Sequence, residues 1–229
     1  MHHAVFTGTI FFGENGHKTA LDFVDLAEGI SISMSSSGGT KNQVGFLIHG
    51  IGIQPHEASQ NAELKLKKFH NFLKVTLDYP IEINVTSRTH AESFDKFFNF
   101  HTNLESLINS ISKKSFNNYL NNSTDDKEEL LIEGIEDNHD RNIVSAFSKL
   151  ANFLEGTETG KKFKPIRDAL SHEIVDTAQE KVEKQFPNEF EFDGKRFKRS
   201  SGKNKSSLRK YWPELLDASK KKFFELVGD

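Results

Sequence analysis

The spacing of apolar residues changes once along this chain, and that change constrains its fold more than any other feature. Up to about residue 88 the period is two. Phe6, Gly8, Ile10 and Phe12 keep one register, Ile30, Ile32 and Met34 repeat it, and Val44, Phe46 and Ile48 resume it after the turn-like Ser35 to Gly39. Ile81, Ile83 and Val85 form a further run after Asp78-Tyr79-Pro80. Period two with Gly, Ser and Pro punctuation predicts antiparallel strands. The stretch from Ala58 to Leu77 fits two templates: Leu64 and Leu66 alternate, whereas Glu63 to Lys68 also suits a helix.

From about Thr89 the period becomes helical. Leu104, Leu107, Ile108 and Ile111 follow it, as do Ile143, Phe147, Leu150, Ala151 and Leu154, which stop before Gly156. Ile166, Leu170, Ile174, Ala178 and Val182 recur every four residues just after Pro165, a favoured first-turn residue. Leu208, Tyr211, Trp212, Leu215 and Leu216 make a last segment, in which Pro213 either kinks a helix or opens a new one. Four amphipathic helices on short links predict an antiparallel bundle. The fold class expected is therefore α+β: an antiparallel β-rich domain over residues 1–95, then a helical bundle over 96–229.

Composition narrows the function classes. The 229 residues include 21 Phe, enough aromatic volume for a packed interior. No cysteine is present, which excludes disulfides, thiolate metal sites and cysteine nucleophiles together. The first residues lack the charged-then-apolar layout of a signal peptide, and no apolar run reaches the ~20 residues of a membrane span. A cytoplasmic protein with no membrane partner is expected. Formal net charge is −3, so any attraction to nucleic acid must be local. One such patch exists. Lys195, Arg196, Lys198, Arg199, Lys203, Lys205, Arg209 and Lys210 crowd one segment, with Phe197, Tyr211 and Trp212 interleaved. Such a segment suits a phosphate backbone with stacked bases, or equally a solvated face that pairs with the acidic stretch between Thr124 and Asp140.

The sharpest local signal is Ile166-Arg167-Asp168-Ala169-Leu170-Ser171-His172-Glu173. Read as the opening of a helix, it puts Arg167 where free backbone N–H groups and the dipole favour anions. The arginine fork matches phosphate geometry. Histidine exchanges protons near neutrality, its unperturbed pKa being about 6.5. Asp168 precedes His172 by four residues, so on one helix the two share a face and the carboxylate can orient the imidazole. Arg167 and His172 would stand about 140° apart on an ideal helix, at about 100° per residue. They would flank a site, and a twofold axis would gather two of each around one cleft. Cleavage of an RNA phosphodiester needs such a set: a base for the 2′-hydroxyl, an acid for the leaving oxygen, and positive charge for the phosphorane.

An Arg, a polar residue, three further residues and a His on a bundle helix resembles the signature of HEPN domains. The resemblance covers roughly residues 100–229. It implies a helical domain that dimerises with the motif at its interface. In many members it implies a metal-independent ribonuclease of toxin–antitoxin, CRISPR-linked or anti-phage systems. Arg167 and His172 would be the catalytic pair and Asp168 the polar modulator. The partners implied are a second copy of the chain and RNA, with a protein or ligand partner left open for the β-rich domain. No cofactor is expected. The alternative is a non-catalytic HEPN-like module for dimerisation or for binding nucleic acid or nucleotide.

Other constellations carry less. Gly13-Glu14-Asn15-Gly16-His17-Lys18-Thr19 is one residue short of a phosphate-binding loop and has His where Gly must precede Lys. His49-Gly50-Ile51-Gly52 faintly resembles an oxyanion loop, but no Gly-x-Ser-x-Gly elbow follows. No two histidines sit three to five apart, so no metal site is assigned. His139-Asp140-Arg141, at the end of the acidic stretch, is a candidate accessory group.

Overall fold

A computed structural model describes residues 1–12, 24–27, 30–34, 43–77, 81–91, 113–121, 126–171 and 177–227. The chain divides into two compact units, Met1–Ser123 and Thr124–Leu226. The helical repeat expected over 104–111 and the loop-like segment 13–19 lie outside the described residues.

In the first unit the period-two segments become strands: β1 (His2–Phe12), β2 (Val24–Ala27), β3 (Ile30–Met34), β4 (Gln43–Gly52) and β5 (Ile81–Ala91). They form one antiparallel sheet in the order β2-β3-β4-β1-β5. At the middle of the sheet both faces are covered, Val5 and Leu47 being buried on the face opposite Phe6 and Ile48. Ala4, Phe6 and Ile10 of β1 and Phe46 and Ile48 of β4 are all buried, and Phe6 lies opposite Ile48 in register. Helix α1 (Pro55–Leu77) lies across β4 and β1. It begins with Pro, whose missing N–H costs nothing in a first turn. The Glu57 carboxylate accepts from the backbone amides of Ile53 and Gln54 at 2.8 and 3.0 Å. The segment 58–77, which fitted two templates, is thus helical. Its first half meets the sheet through Ala58 and Ala62, both buried, and Gly50 lies beneath them. A Cβ on Gly50 would stand 2.5 Å from the amide nitrogen of Ala62 and closer still to the Ala58 carbonyl. His49-Gly50-Ile51-Gly52 is therefore a strand end shaped for a helix, not an oxyanion loop. Helix α2 (Lys113–Asn121) packs on α1, with Phe116 between Phe69 and Phe72 at ring distances of 5.6 and 4.8 Å.

The second unit is helical. It holds α3 (Asp126–His139), α4 (Ile143–Phe153), α5 (Glu158–Ser171), α6 (Ala178–Gln185), a two-residue-stranded hairpin of β6 (Phe192–Asp193) and β7 (Arg196–Phe197), and α7 (Gly202–Val227). The acidic stretch forms α3, which buries Leu131, Ile132 and Ile135. Its Glu133 and Asp137 grip Lys149 of α4 at 2.9 and 2.8 Å. A chain of rings forms the core: Phe147 on Phe163, Phe163 on Phe186 and Tyr211, Phe186 on Phe190, and Phe190 on Phe197, each pair with centroids 5.3–5.9 Å apart. Phe197 is buried in this core, and Tyr211, half-buried, sets its ring against Phe163 and Phe186. Pro213 sits inside α7 and opens no new helix.

Candidate functional site

The Arg-Asp motif lies inside a helix and does not open one. Gly156, with φ +88°, turns the chain after α4. Thr157 then caps α5: its hydroxyl accepts from the Gly160 amide at 2.9 Å and donates to the Leu154 carbonyl at 2.7 Å. The helix starts there and runs through Pro165, so Arg167 lies well beyond its first turn. The expectation of free amides and a positive dipole end around Arg167 is overturned. Interior amides of a helix are spent on intrahelical bonds, so none is free for an anion beside Arg167.

Arg167 is 8% exposed, low for a charged side chain. Its Nε and Nη2 donate to Asp168 Oδ1 at 3.2 and 3.0 Å, and its Nη1 donates to Glu155 Oε1 at 3.1 Å. A guanidinium carries five N–H donors. Two of the five at Arg167 have no partner among the described residues. The turn that brings Glu155 alongside is the one Gly156 makes. Sequence reading missed Glu155, because nothing in its spacing distinguishes it from other surface acids.

Asp168 faces Arg167 on one oxygen and Lys164 on the other, the latter at 3.2 Å. Burial works to raise its pKa, but hydrogen bonds from Arg167 and Lys164 outweigh that and hold the carboxyl below the ordinary range. Its partners among the described residues are thus two cations, whereas an orienting role toward His172 was expected. His172 itself lies outside the described residues.

The basic segment is split by the fold. Lys195, Arg196, Lys198 and Arg199 lie on the β6–β7 hairpin and the loop after it, and Lys203, Lys205, Arg209 and Lys210 lie on the first turns of α7. Asn204, fully buried, ties hairpin and helix together. It accepts from the Glu191 amide at 2.6 Å and donates to the carbonyls of Glu191 and Lys198 at 2.8 and 3.0 Å. Arg199 reaches back and donates through Nη2 to the carbonyl of Leu170 near the end of α5. Lys210 is spoken for by Glu189, whose pKa it pulls below the ordinary range against the opposing effect of burial. Arg196, Lys198, Lys203, Lys205 and Arg209 have no charged partner among the described residues.

A cleft of about 570 Å³ opens between the start of α4 and this loop, lined by Asn142, Ser145, Ser148, Leu170, Arg199, Ser200 and Lys205 together with Val144. His139-Asp140-Arg141 does not join it. His139 ends α3, and Arg141 adopts φ +62° in the turn to α4. Among the described residues no three His, Cys, Asp or Glu side chains are grouped to hold a metal ion, and no helix is long and apolar enough to cross a membrane. Comparison of the chain with family models, with curated proteins and with solved structures finds no match.

Proposed function

We propose that the protein is a HEPN-type, metal-independent endoribonuclease with a composite site at a homodimer interface, built from Arg167, Asp168 and His172 of each subunit. The observation that carries this reading is the state of Arg167. A nearly buried guanidinium, braced on two sides by Asp168 and Glu155, keeps two N–H donors without a partner among the described residues. Bracing holds the fork still, so little reorganisation is needed when charge develops on a phosphorane. Low exposure also strengthens each contact it makes. His172, next in sequence after Ser171, would remove the 2′-hydroxyl proton and return one to the leaving 5′-oxygen. Asp168 is then a positioning residue for Arg167. Endonuclease action in a defence or toxin system belongs to the same proposal.

The test is cleavage of a labelled RNA in EDTA by the wild-type protein, His172→Ala and Arg167→Lys. Cleavage by the wild type with loss of a hundredfold or more in His172→Ala is expected. Arg167→Lys keeps the charge but not the fork, and its rate is expected to fall while folding persists. Equal cleavage by wild type and His172→Ala, or none by either, removes the proposal.

A second reading is a non-catalytic dimerisation or nucleic-acid-binding module. What favours it is charge compensation. Arg167 and Lys164 face Glu155 and Asp168, so the motif adds no net positive field. The same EDTA assay separates the two readings.

A further inference from the structure

We infer that the cleft between α4 and the loop preceding α7 is a phosphate subsite for an RNA strand, with Arg199 and Lys205 as its cations and Ser145, Ser148 and Ser200 as its hydroxyl donors. The inference rests on the ribonuclease reading and deepens it, assigning to the substrate backbone a contact outside the Arg167–His172 pair.

Four features converge. The volume, about 570 Å³, falls among clefts that hold small ligands or a nucleotide unit, roughly 300–1,000 Å³. Among the described residues its lining contains two cations and no acid, in a chain whose formal net charge is −3. Among the described residues no aromatic ring lines it for a base to stack on, while three hydroxyls and a guanidinium suit tetrahedral oxygens. Finally, its cations are set in advance. Asn204 holds the Lys198 carbonyl, the Ser201 amide donates to that carbonyl at 3.0 Å, and the loop between them carries Arg199 and Ser200. Arg199 spends one terminal nitrogen on Leu170, which fixes its plane, and Lys205 is half-buried without a charged partner among the described residues. Preorganised donors lose little entropy on binding. Leu170, which lines the cleft, precedes His172 by two residues, so an occupied subsite would set a strand beside the motif.

Arg199 also serves the fold through Leu170, so the test is built on Lys205 and Ser148. A fluorescein-labelled 2′-O-methyl RNA decamer, which cannot be cleaved by 2′-hydroxyl attack, is titrated with full-length protein and followed by anisotropy. Lys205→Ala is expected to weaken binding about tenfold and to flatten the slope of log affinity against log salt by about 0.7, one phosphate contact on a single strand. Lys205→Arg restores binding, Ser148→Ala weakens it by a smaller factor, and Lys181→Ala, an exposed lysine on α6, leaves it within twofold. Thermal melting confirms that each variant folds. No measurable binding by the wild type, or Lys205→Ala binding as Lys181→Ala does, overturns the subsite. The two proposals fail separately. His172-dependent cleavage with Lys205-independent binding sinks the subsite alone, and Lys205-dependent binding without any cleavage sinks the ribonuclease reading alone.

Discussion

Two residues show how local chemistry was only partly visible beforehand. Arg141 stood out as part of a charged triplet at the end of an acidic run. Its role in the fold is conformational: the Arg141 amide donates to the Asn138 carbonyl at 3.0 Å and the Asn142 amide to the Asp137 carbonyl at 2.7 Å, the paired bonds that end a helix with one residue in the left-handed region. Glycine takes that backbone without strain, whereas other residues lose about 1 kcal/mol. Arg141→Gly should therefore raise stability by about 0.5–1 kcal/mol in equilibrium urea unfolding. A drop instead would mean that the arginine side chain does work of its own. Asp168 was singled out to orient His172; the partners it takes among the described residues are Arg167 and Lys164. Its folded pKa is depressed, so it stabilises the fold above the ordinary aspartate value of about 3.9, and that contribution fades as pH falls through the lower folded value. Asp168→Asn should lower the urea midpoint at pH 7, and the gap from wild type should close as pH falls below the ordinary aspartate value of about 3.9. A gap that persists unchanged in acid would rule out the ion pairs as its source.

Elements were legible where large side chains marked a buried face. The strands announced themselves through Phe6, Ile10, Phe46 and Ile48, and α4 through Phe147 and Leu150 up to the stop at Gly156. Helix α1 was harder to read because its first half rests on Ala58 and Ala62 above Gly50. A close approach calls for small residues, and small residues leave a faint hydrophobic signal. Leu64, 52% exposed, added a misleading alternation. Helix α5 was misplaced for a related reason. Before Pro165 its buried apolar side chain is Phe163 alone, so the proline outweighed the true cap at Thr157. The same geometry separates two glycines that look alike in sequence. At Gly50 an added Cβ meets rigid backbone of α1, whereas at Gly134 it meets the tip of the Leu150 side chain. Gly50→Ala should cost about 2–3 kcal/mol. Gly134→Ala gains helix propensity, which offsets most of its crowding, and should stay within about 1 kcal/mol of wild type. Urea unfolding of both variants checks the order; equal losses would contradict the close seating of α1 on β4.

At the scale of the molecule, the mixed α+β architecture and the shift from sheet to helices along the chain followed from the change of period. What did not follow is which polar groups meet. Glu155 beside Arg167, and Ser145 and Ser148 across from Arg199 and Lys205, come together through turns and a hairpin whose contacts span from a dozen to more than fifty residues of sequence, and hydrophobic spacing carries no record of such meetings. The proposed composite site makes one demand on the whole protein. Light scattering after size exclusion should give twice the mass of the chain, and the ribonuclease activity should fall on dilution as the dimer dissociates. Activity undiminished in a monodisperse monomer would refute the shared site.

The hairpin of β6 and β7 is fastened at its base and open at its tip. One amide side chain, Asn204, holds both of its legs, while Gly194 turns the tip with φ +58° and no atom lies within 4 Å of where its Cβ would be. Extra residues spliced between Asp193 and Gly194 would hang clear of the anchorage. That makes this bend a place to graft a tag or a dye without loosening the residues beneath it.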